Sequence, residues 1–206
     1  AREENYAGKR YTSARLRSRG LADFRYGRFE ARIRVPRGQG LWPAFWMLPT
    51  DSPYGGWAAG GEIDIMETVN VPLESHGTIH HGGQWPNNRS NGNSFSNGLD
   101  LSLQYHTYAM EWEPDQIRWY VDGELFHSLS SAAWFSENAP DNDRAPFDVY
   151  FHMLLNVAVG GNWPGPPDDT TWTISALNEG DAAGVAFINV ENLVGAADHE
   201  DTFVVA

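Results

Sequence analysis

What most constrains this chain is its punctuation. Extended segments of about four to eight residues recur between clusters of Gly, Pro, Asn and Asp, and no long helical period interrupts them. This pattern predicts strands over 11–18, 24–35, 42–48, 61–68, 75–81, 106–113, 116–121, 124–128 and 148–157, with further alternation and β-branching at 185–190 and 202–205. Asp122-Gly123, between Trp119-Tyr120-Val121 and Glu124-Leu125-Phe126, signals a hairpin, because a type I′ turn needs two residues tolerant of positive φ. Residues 82–104 and 129–147 carry turn residues without a period and read as long surface loops, long enough to wall a cleft. Many short strands between turns predict an all-β sandwich.

One strand is chemically unusual. Gly61-Glu62-Ile63-Asp64-Ile65-Met66-Glu67 sets three carboxylates inside an apolar, β-branched run. Alternation sends Glu62 and Asp64 to one face and the isoleucines to the other. Glu67 lies five residues from Glu62, an odd spacing that in a regular strand turns the two glutamates to opposite faces. A β-bulge at or near Met66 returns Glu67 to the face of the other two acids, so a bulge is predicted there.

With one residue absorbed, Glu62 and Glu67 stand ~13 Å apart along the strand. Side chains leaning inward bring the carboxyls to about 5 to 7 Å, a range that includes the separation used by retaining glycosidases. Crowding and burial raise the pKa of one member, which makes Glu67 the candidate acid. Asp64, between them, is placed to hold a proton or to hydrogen-bond Glu62. A solvated acidic face is the plainer reading of an isolated Glu-x-Asp.

The segment resembles the acidic signature of glycoside hydrolase family 16 in the bulged form of laminarinases, the endo-β-1,3-glucanases. The likeness extends to Arg10-Tyr11-Thr12-Ser13-Ala14-Arg15-Leu16, Tyr26-Gly27-Arg28-Phe29-Glu30-Ala31-Arg32, Gly40-Leu41-Trp42-Pro43-Ala44-Phe45-Trp46-Met47-Leu48 and His76-Gly77-Thr78-Ile79-His80. It continues through Tyr105 to Trp112 and Leu155 to Gly165, in family order, and covers about residues 1 to 171. It implies a jelly-roll β-sandwich of two antiparallel sheets with a concave substrate cleft, and retaining cleavage of β-1,3-linked or mixed-linkage glucan. Glu62 would be the nucleophile, Asp64 its assistant and Glu67 the acid/base.

Composition narrows the alternatives. The 206 residues suit a single catalytic domain spanning 1–206, and the absence of cysteine removes disulfides, thiolate metal sites and cysteine nucleophiles. A net charge of −13 argues against nucleic acid and anionic membrane as partners and fits a neutral polysaccharide. No apolar run approaches a membrane span. The chain opens at Ala1-Arg2-Glu3 without Met, so a secreted enzyme whose leader was removed is expected.

Nine tryptophans supply flat apolar faces with one N–H each, suited to pyranose rings. Trp42 and Trp46 share a strand face with Ala44, and Trp57 sits in the glycine-rich approach to the acidic strand, so these three are expected in the cleft. Trp112, Trp119, Trp134 and Trp172 read as core. The resemblance also places Trp163 in the cleft, Asn156 at its floor, and Glu30 and Arg32 beside the catalytic strand as sugar ligands. Without it, Glu30 and Arg32 are an exposed ion pair.

His76 and His80 lie ~13 Å apart on a strand, too far to share one ion. The resemblance makes His80 a hydrogen-bond partner near the carboxylates, with His81 pointing away. Catalysis is expected to need no cofactor. Family members often hold a structural calcium near the chain ends, but both ends depart from the pattern here, and residues 172–206 do not align with it. A monomer is expected, with oligomerisation or strand exchange as the alternative if the outer sheet exposes its edges. Other family 16 activities remain open: mixed-linkage glucanase, agarase, and carrageenase, the last opposed by the lack of a basic cleft signature. A non-catalytic glucan-binding module is the competing class, opposed by three mutually repelling acids that a binder has no need of.

Overall fold

Apolar side chains alternating with polar ones along successive strands build two antiparallel sheets that bury their apolar faces against each other, a jelly-roll sandwich. The computed structural model describes residues 1–167 and the four short strands Thr171–Ala176, Glu179–Ala182, Val185–Ile188 and Thr202–Val205. In chain order the earlier strands are β1 (Arg2–Tyr6), β2 (Lys9–Thr12), β3 (Arg15–Arg17), β4 (Gly27–Ile33), β5 (Leu41–Pro49) and β6 (Glu62–Glu67). They continue with β7 (Ser75–Gly82), β8 (Asn88–Phe95), β9 (His106–Glu113), β10 (Gln116–Val121), β11 (Glu124–Ser130) and β12 (Phe151–Val159).

The larger sheet has six strands in the order β3-β12-β5-β6-β7-β8, and a four-stranded sheet, β11-β10-β9-β4, packs behind it. β1 and β2 form a separate hairpin. Thr171–Ala176, Glu179–Ala182, Val185–Ile188 and Thr202–Val205 make a sheet of their own, in which Thr171–Ala176 pairs in parallel with Thr202–Val205. The expected strand at 185–190 ends at Ile188, and its last two positions lie outside the described residues.

Between the two principal sheets lies one core. Phe45, Met47, Ile63, Ile65, Met66 and Ile79 from the larger sheet meet Met110, Trp112, Ile117 and Trp119 from the smaller. Trp112, Trp119 and Trp134 are buried, as expected, while the side chain of Trp172 lies outside the described residues. The Asp122-Gly123 hairpin joins β10 to β11, with both residues at positive φ.

Several expected boundaries move. The strand expected over 11–18 is two strands with different partners, β2 on β1 and β3 on β12. The strand expected from 24 begins at Gly27, because Tyr26 and Gly27 both take positive φ. The loop expected over 82–104 contains β8, whose eight residues pair in register with β7. β8 is an edge strand with little apolar content, and edges tolerate such polar sequence because only one side of the backbone must be paired. Gly92 is fitted to that pairing, since a Cβ there would stand 2.6 Å from the Thr78 hydroxyl.

Candidate active site

The acidic strand enters through Gly61, whose φ of +89° disfavours any side chain and whose added Cβ would meet Pro146 at 2.9 Å. Ile63 is fully buried toward the core, so Glu62 and Asp64 face the other way. The predicted bulge then follows. On the β5 side Asp64 pairs with Trp46 and Met66 with Phe45, leaving Ile65 as the extra residue. On the β7 side Asp64 pairs with Thr78 and Glu67 with His76, so Ile65 and Met66 together oppose Gly77. Both apolar side chains enter the core, and Glu67 returns to the face of the other acids.

A bulge interrupts the ladder and leaves backbone groups to be satisfied from elsewhere. Here the indole N–H of Trp119 crosses the core from β10 and donates to the Asp64 carbonyl at 2.8 Å. Gly77 makes room for that ring: a Cβ there would lie 2.6 Å from Trp119 Cδ1.

Glu62, Asp64, Glu67, Trp42, Trp46 and Asn156 line one cavity of about 400 Å³ on the open face of the six-stranded sheet. Trp42 donates its indole N–H to Glu67 Oε1 at 2.9 Å, and Trp57 donates its own to Glu62 Oε2 at 3.1 Å. Trp46 donates to Asn156 Oδ1 at 2.7 Å, which fixes the amide orientation on the floor. His80 sets Nε2 3.3 Å from Asp64 Oδ2 and 3.8 Å from Glu62 Oε1. Its ring leans against Trp57 at 5.4 Å between centroids. Trp163 stands edge-on to Trp42 and His76 at 5.3 and 4.9 Å and keeps 43% of its surface exposed, much like Trp57 at 40%. His81 turns away from the cleft, and its Nδ1 accepts the Phe135 backbone N–H.

Two expected ligands are not there. β4 pairs with β9 in the smaller sheet, so Glu30 and Arg32 do not run beside the acidic strand. Glu30 is exposed and paired with Arg28 at 2.6 Å, and Arg32 lies 4.6 Å above the Tyr105 ring. The reason is alternation: Phe29, Ala31 and Ile33 turn inward on β4, and the charged residues between them must face outward from the sandwich. Conversely, Arg15 belongs to the cleft without being among the expected ligands: its guanidinium covers the Trp46 ring at 4.5 Å and lines the cavity. The signal was present in Arg15-Leu16-Arg17, whose alternation puts two arginines on one face.

Burial dominates the electrostatics. It raises Glu62, and repulsion from Asp64 and Glu67 adds to the rise, against the His80 imidazole and the Trp57 hydrogen bond, to about 8. Asp64, 2% exposed, is raised well above the carboxylate range by burial and then by Glu67. Glu67 is raised by burial, with the Trp42 hydrogen bond and His80 opposing. Three enclosed carboxyls cannot all be charged at neutral pH. Asp64, the most enclosed, is the best place for a shared proton, and neutralising it removes the largest like charge acting on Glu62.

Glu62, Asp64 and His80 also offer three donor atoms within 4.8 Å of one another, and among the described residues no other such trio gathers. These are the same groups that form the acid cluster, and the calcium position expected near the chain ends falls partly outside the described residues.

An antiparallel sandwich with acids at the centre of an aromatic-walled groove defines a carbohydrate-cleft architecture. The chain belongs to glycosyl hydrolases family 16, whose family model matches residues 3–173. It is 47% identical over 158 residues to a glucan endo-1,3-beta-glucosidase A1 of Niallia circulans, an alignment covering 75% of this chain and 23% of that protein. It is 44% identical over 171 residues to a beta-glucanase of Rhodothermus marinus, covering 80% and 58%. The chain therefore spans about a quarter of the first relative and somewhat over half of the second. The X-ray structure of the laminarinase from Rhodothermus marinus superposes with a TM-score of 0.68 at 42% identity, covering 81% of this chain and 68% of that one.

Proposed function

We propose that this domain is an endo-acting, retaining β-1,3-glucanase. The observation that carries the reading is the bulged strand β6, which turns Glu62, Asp64 and Glu67 to one face, with a tryptophan N–H on each glutamate. Glu62 attacks the anomeric carbon as the glycosidic C–O bond breaks, and protonated Glu67 gives its proton to the leaving oxygen. Glu67, now ionised, takes a proton from water, which displaces Glu62 and restores the configuration. Asp64 keeps a proton next to Glu62 and so lets Glu62 stay anionic in a cleft that otherwise disfavours charge.

Exposed Trp57 and Trp163 offer stacking faces on the two sides of the acids, and Asn156 offers polar contacts below. Acid, base, nucleophile and polar donors all come from side chains, so the reaction as proposed needs no cofactor. A polymeric glucan does not cross a membrane, which supports action outside the cell. The experiment is reducing-sugar release from laminarin, lichenan and agarose by the wild type and by Glu62→Gln. Laminarin is expected to be cleaved fastest, with Glu62→Gln near background. A wild type that binds laminarin yet releases no more sugar than Glu62→Gln would mark the domain as a glucan-binding module instead.

A further inference from the structure

The sheet that carries the acids is not uniformly acidic. Its outermost strand, β3, holds Arg15 and Arg17, and the chain continues through Ser18 to Arg19. Register fixes where these point. Arg15 pairs with Asn156 and Arg17 with Leu154 on β12, whose other neighbour β5 places Ala44 and Trp46 opposite the same two residues. Asn156, Trp46 and Ala44 line the catalytic cavity, so Arg15 and Arg17 face the same groove as the carboxylates.

Past Trp57 the groove opens into a second cavity of about 530 Å³, lined by Arg15, Arg17, Arg19, Trp57, Ser52 and His152 among others. None of the three arginines makes an ion pair with an acidic side chain among the described residues, although the chain as a whole has almost twice as many acidic as basic residues, 27 against 14. The wall of the cavity also includes His152, whose pKa is lowered by burial and then by the charges of Arg19, Arg17 and Arg15, with Asp23 opposing, which places all three guanidiniums close to it. Three guanidiniums that line one cavity without an ion-pair partner leave their N–H forks available to an anion.

Distance says where along the glycan the anion sits. β3 lies three strand spacings from β6 across β12 and β5, or ~14 Å. Arg15 still borders the acid cavity, but Arg17 and Arg19 line only the cavity beyond Trp57, at a backbone separation that matches a short run of sugar units laid across the strands. We propose that the β3 end of the groove is a subsite for an anionic substituent, carboxylate or sulfate, carried by the glycan a few units from the bond that is cut. The inference rests on the glucanase reading above and adds substrate class to it: the preferred chain is an acidic or acid-decorated β-glucan.

The test uses the full chain with Glu62→Gln, which binds without cutting, and three β-1,3-linked oligosaccharides of equal length: neutral, with one glucuronate, and with one sulfate. Calorimetry is expected to show at least one acidic ligand binding on the order of tenfold more tightly than the neutral one, with the preference shrinking as salt rises. The uronate and sulfate arms tell the two anions apart. Arg17→Ala with Arg19→Ala is expected to bring the ratio of acidic to neutral affinity near unity, and Arg17→Lys with Arg19→Lys to retain part of it. Equal affinity for all three ligands, or a preference that survives the alanine pair, overturns the proposal. The salt series is read on the unaltered pocket, so it decides the matter even if an arginine variant fails to fold. Wild-type hydrolysis of neutral laminarin is scored separately, and its loss would sink the glucanase reading while leaving the affinity ratio readable.

Discussion

Trp119 donates its indole N–H to the backbone carbonyl of Asp64 at 2.8 Å, so a residue of one sheet holds the irregularity on which the acids of the other depend. Replacing the indole by a smaller aromatic ring removes the donor, together with some packing. Trp119→Phe is expected to cost about 1 to 3 kcal/mol in urea unfolding, because a buried carbonyl loses its partner. It is also expected to lower kcat more than it raises KM, since Glu67 depends on the bulge for its aim. An unchanged kcat would show that the bulge holds without this bond.

The hydrogen bond from Trp42 favours the charged form of Glu67 and so holds its pKa down against burial. Trp42→Phe removes it, and the Glu67 pKa must rise. The alkaline limb of kcat/KM, where the acid loses its proton, is expected to move to higher pH. A limb that stays put or moves down would mean that another group is the acid.

Stability should carry the signature of the buried acids. Burial raises all three acids, Glu62 from 4.5 to about 8, so between those values the native cluster, with its shared proton held mainly by Asp64, keeps protons that the unfolded chain has released. Stability from this group is therefore full below about pH 4.5 and declines as pH climbs toward 8. Glu62→Gln cannot ionise and is expected to be more stable than wild type near pH 8, by up to roughly 4 kcal/mol and so with a higher Tm, with little difference at pH 4. Tm measured across that range checks the sign.

Azide can tell the two glutamates apart on an activated aryl β-glucoside. In Glu67→Ala the glycosyl-enzyme still forms, and azide is expected to release it as the β-glycosyl azide. In Glu62→Ala azide takes the nucleophile's place and gives the α-anomer. The opposite pairing of product and substitution would reverse the assigned roles.

The acidic strand was legible because its own spacing contradicts regular alternation: Glu67 five residues after Glu62 is useful only if a bulge intervenes, and the bulge is there. Trp42, Trp46 and Trp57 were legible from strand face and loop position. Glu30 and Arg32 were misplaced because alternation fixes a residue's face within a strand but not which sheet the strand joins, and β4 joins the other one. β8 was hidden for a related reason, since an edge strand owes its existence to a partner and Asn-Gly-Asn-Ser has no apolar period to betray it. The basic end of the groove escaped because its arginines come from 15–19, more than forty residues before the acids they adjoin in space.

The bulge in β6 turns chemistry into a question of parity. Along a pleated strand a side chain's face depends only on whether the count of residues is odd or even, and the extra residue changes that count by one. The same two glutamates would share a face in a straight strand if Met66 were deleted, since four residues would then separate them. What the longer form adds is a second apolar side chain in the core, where Ile65 and Met66 both reside. One residue more or fewer can thus be absorbed without moving an acid off the groove, provided the ladder and the count change together; a change in either alone points Glu67 into the core.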